Sequence, residues 1–329
     1  MRRSTFLASA GAAAAIFARA RAQDDVDPSR TSAHQALRVL LGNGDAASAP
    51  GETFTFDGKL YRGTYQRTAD GRIVNLVDLE EYLYSVVSRE MPPAWPTAAL
   101  ETQAICARTY VLQRSDPRRE YDLVPSELDQ VYEGIAGETP SGVAAVDSTE
   151  GRVLTYGSGF AQVAYSSCCG GHTESSSDAW GSAPVPYLGG VVCTSCTASP
   201  NYRWSRTLEL DAIGTRLAAS LPPLARLTGV ALGERDASGR ARTLLMITDR
   251  GTVSLGGSAF RHGVGSRVLP SLLLASVAQS GDAIAVAGGG LGHGVGLCQW
   301  GARGMAIAGS EAAAIVNAYF PGTAVHDLR

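Results

Sequence analysis

Lysine is almost missing from this chain. Lys59 is the single lysine among 28 basic residues, and arginine supplies the rest. Positive charge is not in excess either, because 31 acids give a formal net charge of −3. Nucleic-acid binders usually carry a basic domain or stripe, so no nucleic-acid partner is expected. Cysteine is sparse, six in 329 residues. That is too few for a disulfide scaffold of this size, but enough for a metal site or a few bridges. Beyond the first 22 residues no unbroken apolar run reaches about 18 residues, so no stable membrane span is expected in the mature chain. Two catalytic signatures are also missing, the Gly-x-Ser-x-Gly elbow and His-Glu-x-x-His. What is present is a foldable composition, 45% apolar and 18% charged, with 38 glycines. The length fits two domains or one large one.

The N-terminus reads as a signal peptide over residues 1–22. Arg2 and Arg3 precede an apolar, Ala-rich run from Phe6 to Phe17, and Ala18-Arg19-Ala20 and Ala20-Arg21-Ala22 fit the small-x-small cleavage rule. The arginine pair resembles a twin-arginine signal. Cleavage would remove four arginines and no acid, moving the formal charge from −3 to −7. The expected destination is the periplasm or cell envelope. Residues 23–35 are polar and read as a linker. From 36 to 329 short strands and helices alternate without a repeat, which predicts an α+β fold around a substrate cleft. A β-rich subdomain is expected over about 203–288. Helical period covers 79–89, stopped by Met91-Pro92-Pro93, and a longer helix is predicted over 98–113 with Thr97 as N-cap. Residues 118–150 read as mixed and loop-rich.

Cys169-Gly-Gly-His172 and Cys193-Thr-Ser-Cys196 are two ligand pairs, each with a two-residue spacer. Three thiolates and one imidazole would close a tetrahedral, structural Zn²⁺ site. Cys168 beside Cys169 diverges from it, so Cys169 is the one assigned. In an exported protein these residues can equally form disulfides, and both readings stand at this point. Cys106 and Cys298 sit in apolar settings and read as small buried hydrophobes.

Glu90 ends one helix just before Met91-Pro92-Pro93-Ala94-Trp95-Pro96. A rigid turn and a Trp beside a carboxyl can desolvate it for general-acid work, whereas a solvated helix end would leave it ordinary. Arg108 can orient a carboxylate or pair with Glu101. The run Gly288-Gly-Gly-Leu-Gly-His293-Gly-Val-Gly296 lacks the Lys-Ser/Thr of a phosphate loop. Its glycines suggest close backbone approach around His293, in a strand-to-helix connection.

Four segments in order resemble stage II sporulation protein D and its amidase-enhancer relatives. They are Tyr82 to Pro92 with Ala98 to Tyr110; Ser166 to Glu174 with Trp180-Gly181 and Pro186-Tyr187-Leu188; Phe260-Arg261 with Leu269-Pro270-Ser271; and Gly292 to Ala302 with Tyr319-Phe-Pro-Gly322. The resemblance spans about 36–325. It implies a lytic transglycosylase acting on peptidoglycan glycan strands, with Glu90 as catalytic acid. It also implies Arg108, Gln103, His293 and Gln299 near the cleft, and no catalytic cofactor. Some relatives bind zinc through the central motif; Ser166 here replaces a frequent family histidine, so Cys193 and Cys196 would complete the set. The implied partners are peptidoglycan glycan strands and a cell-wall amidase. Two other functions fit the same residues: a non-catalytic glycan-binding enhancer, and hydrolysis with Asp122 or Glu133 activating water.

Overall fold

A computed structural model describes Pro28, residues 31–126 and residues 128–328. The signal peptide read at 1–22 lies outside the described residues. The described chain is α+β, built from small sheets and short helices. It divides into two compact units. One holds the described residues up to Ala164 together with Met305–Leu328, and the other is Tyr165–Gly304.

The first unit opens with β1 (Ala36–Gly42), which pairs antiparallel with β6 (Ile73–Asp78); β6 also pairs with β5 (Thr64–Arg67). A separate meander joins β2 (Ala46–Ala49), β3 (Thr53–Phe56) and β4 (Lys59–Arg62). The β3–β4 hairpin turns on Asp57-Gly58, both at positive φ (46° and 75°), the backbone that a two-residue turn of this kind demands. Residues 31–35, read from sequence as the end of a linker, are tied down. Ala33 is buried, the Gln35 carbonyl accepts from Leu79 N, and the His34 ring contacts Asp78 at 3.2 Å and Glu150 at 2.9 Å.

Helix α1 (Leu79–Glu90) begins where the Asp78 carboxylate accepts from Glu80 N, and it carries Glu80 and Glu81 in its first turn. Both features stabilise the positive end of the helix. Extended Met91 ends it, and Pro92 prevents continuation. Helix α2 (Thr97–Arg114) starts one residue earlier than the sequence reading, with Pro96 rather than Thr97 as N-cap. The Pro96 carbonyl accepts from Ala99 N and Leu100 N, and its ring already fixes the required φ. Residues 99, 100 and 102–112 of α2 are all buried, so the helix is central rather than amphipathic. Helix α3 (Pro140–Asp147) is capped by Thr139 and packs on both α1 and α2. It falls in the stretch expected to be loop-rich. A hairpin of β7 (Arg152–Tyr156) and β8 (Gly159–Phe160) follows.

The second unit starts at β9 (Tyr165–Ser166) and includes the short helix α4 (Ser176–Trp180). Its β10 (Trp204–Glu209) is followed by α5 (Leu210–Arg216) and by the meander β11 (Leu227–Leu232), β12 (Thr243–Thr248) and β13 (Gly251–Gly256). Helix α6 (Gly257–Val264) leads to the hairpin β14 (Leu273–Ser280) and β15 (Ala283–Gly289), where β15 also pairs with β10. Trp204, Leu244, Met246, Phe260, Leu274 and Ile284 anchor one hydrophobic cluster confined to this part of the chain. The glycine-rich connection then enters β16 (Leu297–Cys298), which runs parallel to β9, and α7 (Gln299–Ile307). The chain finishes in the first unit with α8 (Ala312–Tyr319) and β17 (Ala324–Asp327), which pairs with β7. Among the described residues no helix is long and apolar enough to cross a membrane.

Candidate functional site

In the first unit Glu90 is the last residue of α1, half-buried, and its Oε1 accepts from Val131 N at 3.5 Å. The cap at Met91, 1% exposed, pins the backbone immediately after it. Pro92 and Pro93 are exposed, and Trp95 N returns to the Pro92 carbonyl at 3.0 Å. A carboxyl is thus presented from a rigid helix end at the surface of the unit. That is the placement general acid catalysis needs.

Arg108 has no accessible surface. Its Nε and Nη2 donate to the two Glu80 carboxylate oxygens at 2.6 and 2.5 Å, and its Nη1 donates to the Arg152 carbonyl at 3.0 Å. The partner is therefore Glu80, not Glu101, and the guanidinium joins α1, α2 and β7 instead of facing a cleft. Glu101 accepts from Ser148 Oγ at 2.9 Å. Gln103 is also fully buried in α2. Asp122 is 5% exposed and spent on Arg38, taking a bidentate pair at 2.8 and 3.1 Å. Glu133 pairs with Arg89 at 2.8 Å.

In the second unit, Gly290, Gly292, Gly294 and Gly296 all have positive φ, so every other residue of the loop is glycine for a conformational reason. A Cβ on Gly292 would lie 2.8 Å from that of Ser166. This backbone holds His293 half-buried, with Nδ1 accepting from Val295 N at 3.0 Å and the ring 5.2 Å from that of Trp180. Burial, reinforced by Arg261 and Arg240, pushes the imidazole down to about 4. His293 is therefore neutral at ordinary pH, with Nδ1 an acceptor. Gln299, at the start of α7, is 7% exposed.

Glu174 and Arg240 escaped the sequence reading as site residues. Both are 3% exposed. Arg240 donates to the carbonyls of Cys169 and His172 at 2.8 and 3.0 Å, and its Nε lies 3.7 Å from Glu174. Glu174 accepts from Ser175 N and Ser238 Oγ. Desolvation nevertheless pushes its carboxyl up to about 7.

The thiols of Cys169, Cys193, Cys196 and Cys298 lie within 4.8 Å of one another, all buried. This corrects the sequence reading in two ways. Cys298 is part of the group, because β16 pairs in parallel with β9 and sets Cys298 opposite Ser166. His172 is not among the groups that gather there; its Nδ1 is turned to the Thr173 carbonyl at 2.6 Å. Thiolates about 2.3 Å from a tetrahedral ion stand about 3.8 Å apart, and Cys169 Sγ and Cys196 Sγ are 3.8 Å apart. Cys298 Sγ accepts from Cys169 N at 3.2 Å and Gly301 N at 3.4 Å, as a ligating thiolate does. The donor set fits a thiophilic divalent ion, so the cluster could hold a metal. Crowding by neighbouring sulfurs holds the Cys196 and Cys298 thiols above their usual range. An ion would invert that preference. Cys168 is buried but is not one of the four grouped thiols. Cys106 is a buried free thiol in α2, as expected.

These features define an α+β protein with a carboxyl at a helix end and a thiol centre behind a glycine-rich loop. A model of the stage II sporulation protein family (SpoIID) matches residues 67–156, which include Glu90. A model described as a domain of unknown function (DUF8618) matches residues 194–296. Among curated relatives, an uncharacterized protein of Brachyspira hyodysenteriae is 32% identical over 258 residues, covering 78% of this chain and 68% of the relative. Stage II sporulation protein D of Bacillus subtilis is 29% identical over 283 residues, covering 79% of this chain and 78% of the relative. The amidase enhancer of the same organism is 29% identical over 290 residues, 73% of this chain but only 40% of the enhancer. The chain belongs to the stage II sporulation protein D family.

Proposed function

We propose that this protein is an exported lytic transglycosylase that cleaves peptidoglycan glycan strands between N-acetylmuramic acid and N-acetylglucosamine. The observation that carries this is Glu90: a half-buried carboxyl on a rigid helix end, inside the stretch that matches the family. Glu90 enters as the acid. Its proton passes to the glycosidic oxygen as the C1–O bond breaks through an oxocarbenium-like transition state. The resulting carboxylate takes the proton of the muramoyl 6-hydroxyl, whose oxygen closes on C1. The products are a 1,6-anhydro end and a free 4-hydroxyl, and Glu90 is again protonated. One carboxyl acting twice needs no second acid. Hydrolysis through Asp122 is disfavoured, since that carboxylate is buried and occupied by Arg38. Arg108, fully enclosed against Glu80, supports the fold of the acid's helix instead of binding sugar.

The metal that the four thiols would hold is Zn²⁺, with Cys169, Cys193, Cys196 and Cys298 as ligands. Four thiolates leave no open position, so its contribution is structural. The ion would fix β16, between the loop that carries His293 and the start of α7 at Gln299; we assign His293 and Gln299 to substrate positioning.

The test is the Glu90→Gln variant on glycan strands stripped of their peptides. Wild type should release fragments, and Glu90→Gln should lose at least about 10²-fold in rate with an unchanged melting curve, the low end of what one general acid contributes. An active, folded Glu90→Gln protein would refute the assignment. Strand binding without any cleavage by wild type would identify the non-catalytic enhancer instead.

A further inference from the structure

The second unit contains a groove of about 490 Å³ that the cleavage reaction does not use. Its size is that of a small-molecule site. The β14–β15 hairpin lines one side, the Gly170–His172 turn another, and Tyr202, Arg203, Arg235 and Ser238 complete it. No acidic residue lines it, although the whole chain is acidic. The Arg203 guanidinium sits over the Tyr202 ring, 3.9 Å from its centroid, and is oriented by Nη1, which donates to the Gly170 and Tyr202 carbonyls. Its Nε and Nη2 make no hydrogen bond among the described residues. Arg235 donates to the Gly239 and Ala275 carbonyls, and neither arginine has a carboxylate partner among the described residues. The neighbouring acid, Asp236, is bonded inward to the amides of Ser238 and Arg240. His172, outside the thiol group, has its Nδ1 turned to the Thr173 carbonyl and stands at the groove wall.

Two guanidiniums without a carboxylate partner, beside an aromatic ring and walls of glycine and apolar side chains, describe a site for an anion carried on a ring. We propose that this groove binds the carboxylate-bearing sugars of a glycan strand, with Arg203 and Arg235 taking the lactyl carboxylate of a muramoyl residue and Tyr202 stacking on a sugar face. The groove lies wholly in the unit that does not carry Glu90. Choosing a glycan as the carrier of the carboxylate rests on the proposed function.

The test measures binding alone, in the mature Glu90→Gln protein, by calorimetry at low salt. The probes are peptide-stripped glycan strands and chitin oligosaccharides of matched length, which share the backbone but lack the carboxylate. Arg203→Ala/Arg235→Ala should weaken strand binding at least tenfold and leave chitin oligosaccharide binding unchanged. Arg235→Gln alone, on an exposed turn, should weaken strands severalfold and serves if the double variant melts early. The proposal is overturned if the folded variants bind strands as the parent does, if both ligands lose equally, or if the parent does not bind strands. Cleavage lost from wild type while arginine-dependent binding persists would sink only the enzymatic reading.

Discussion

Single residues separate structural from functional roles here. Arg108 matches a family motif position, and sequence alone could place it at a cleft. Its complete burial and its bidentate pair with Glu80 make it a tie between helices. Removing one partner of such a pair leaves an uncompensated buried charge, so Arg108→Ala should cost about 3–5 kcal/mol. Denaturant titration checks this; a variant of unchanged stability that has lost only substrate affinity would return Arg108 to the cleft. Glu174 gives a pH signature. Its carboxyl is raised by burial to about 7 from an ordinary value near 4.5, so the native state favours the protonated form. The resulting stability is present below about 4.5 and is lost as pH rises through about 7. Relative to Glu174→Gln, wild type should therefore lose melting temperature across that interval, and parallel curves for the two proteins would count against it. Neither role was legible from residue type, because burial decides both.

At the scale of elements, the sequence was most informative where local chemistry sets a boundary. Pro92 after α1 stops the helix as read, and Asp78 before it and the Asp57-Gly58 turn act just as locally, within four residues of themselves. Asp78→Ala should destabilise the protein by about 1 kcal/mol, the usual worth of an N-cap; a melting curve indistinguishable from wild type would show that the cap is redundant. Legibility failed where tertiary context took over. The Thr139-Pro140 start of α3 is a good local signal, but the surrounding loop-rich composition hid it. Helix α2 was legible over 98–113 from its boundaries, although burial all round leaves it no amphipathic stripe. Residues 161–164, apolar at 161, 163 and 164, form no strand: β8 ends at Phe160 and β9 begins at Tyr165. Cys298 was read as a hydrophobe because its relation to Cys169 arises only when β9 and β16 pair, across more than 120 residues of chain.

For the molecule as a whole, two compact units carry different chemistry: a carboxyl in one, a thiol centre and a cationic groove in the other. If the thiols hold zinc, removing it with a strong chelator should lower the melting temperature, because ligand binding energy is folding energy. Cys298→Ser should reduce the bound metal while His172→Ala leaves one equivalent in place. Metal analysis of both variants decides between the four-cysteine set and the set with histidine. The central claim, that Glu90 breaks glycan strands without water, is tested most directly by digesting peptide-stripped strands in ¹⁸O-water and weighing the new ends. The account predicts unlabelled 1,6-anhydromuramoyl ends, one water lighter than hydrolysis products, and none with Glu90→Gln. Labelled reducing ends, or anhydro ends that persist in a folded Glu90→Gln protein, would contradict it.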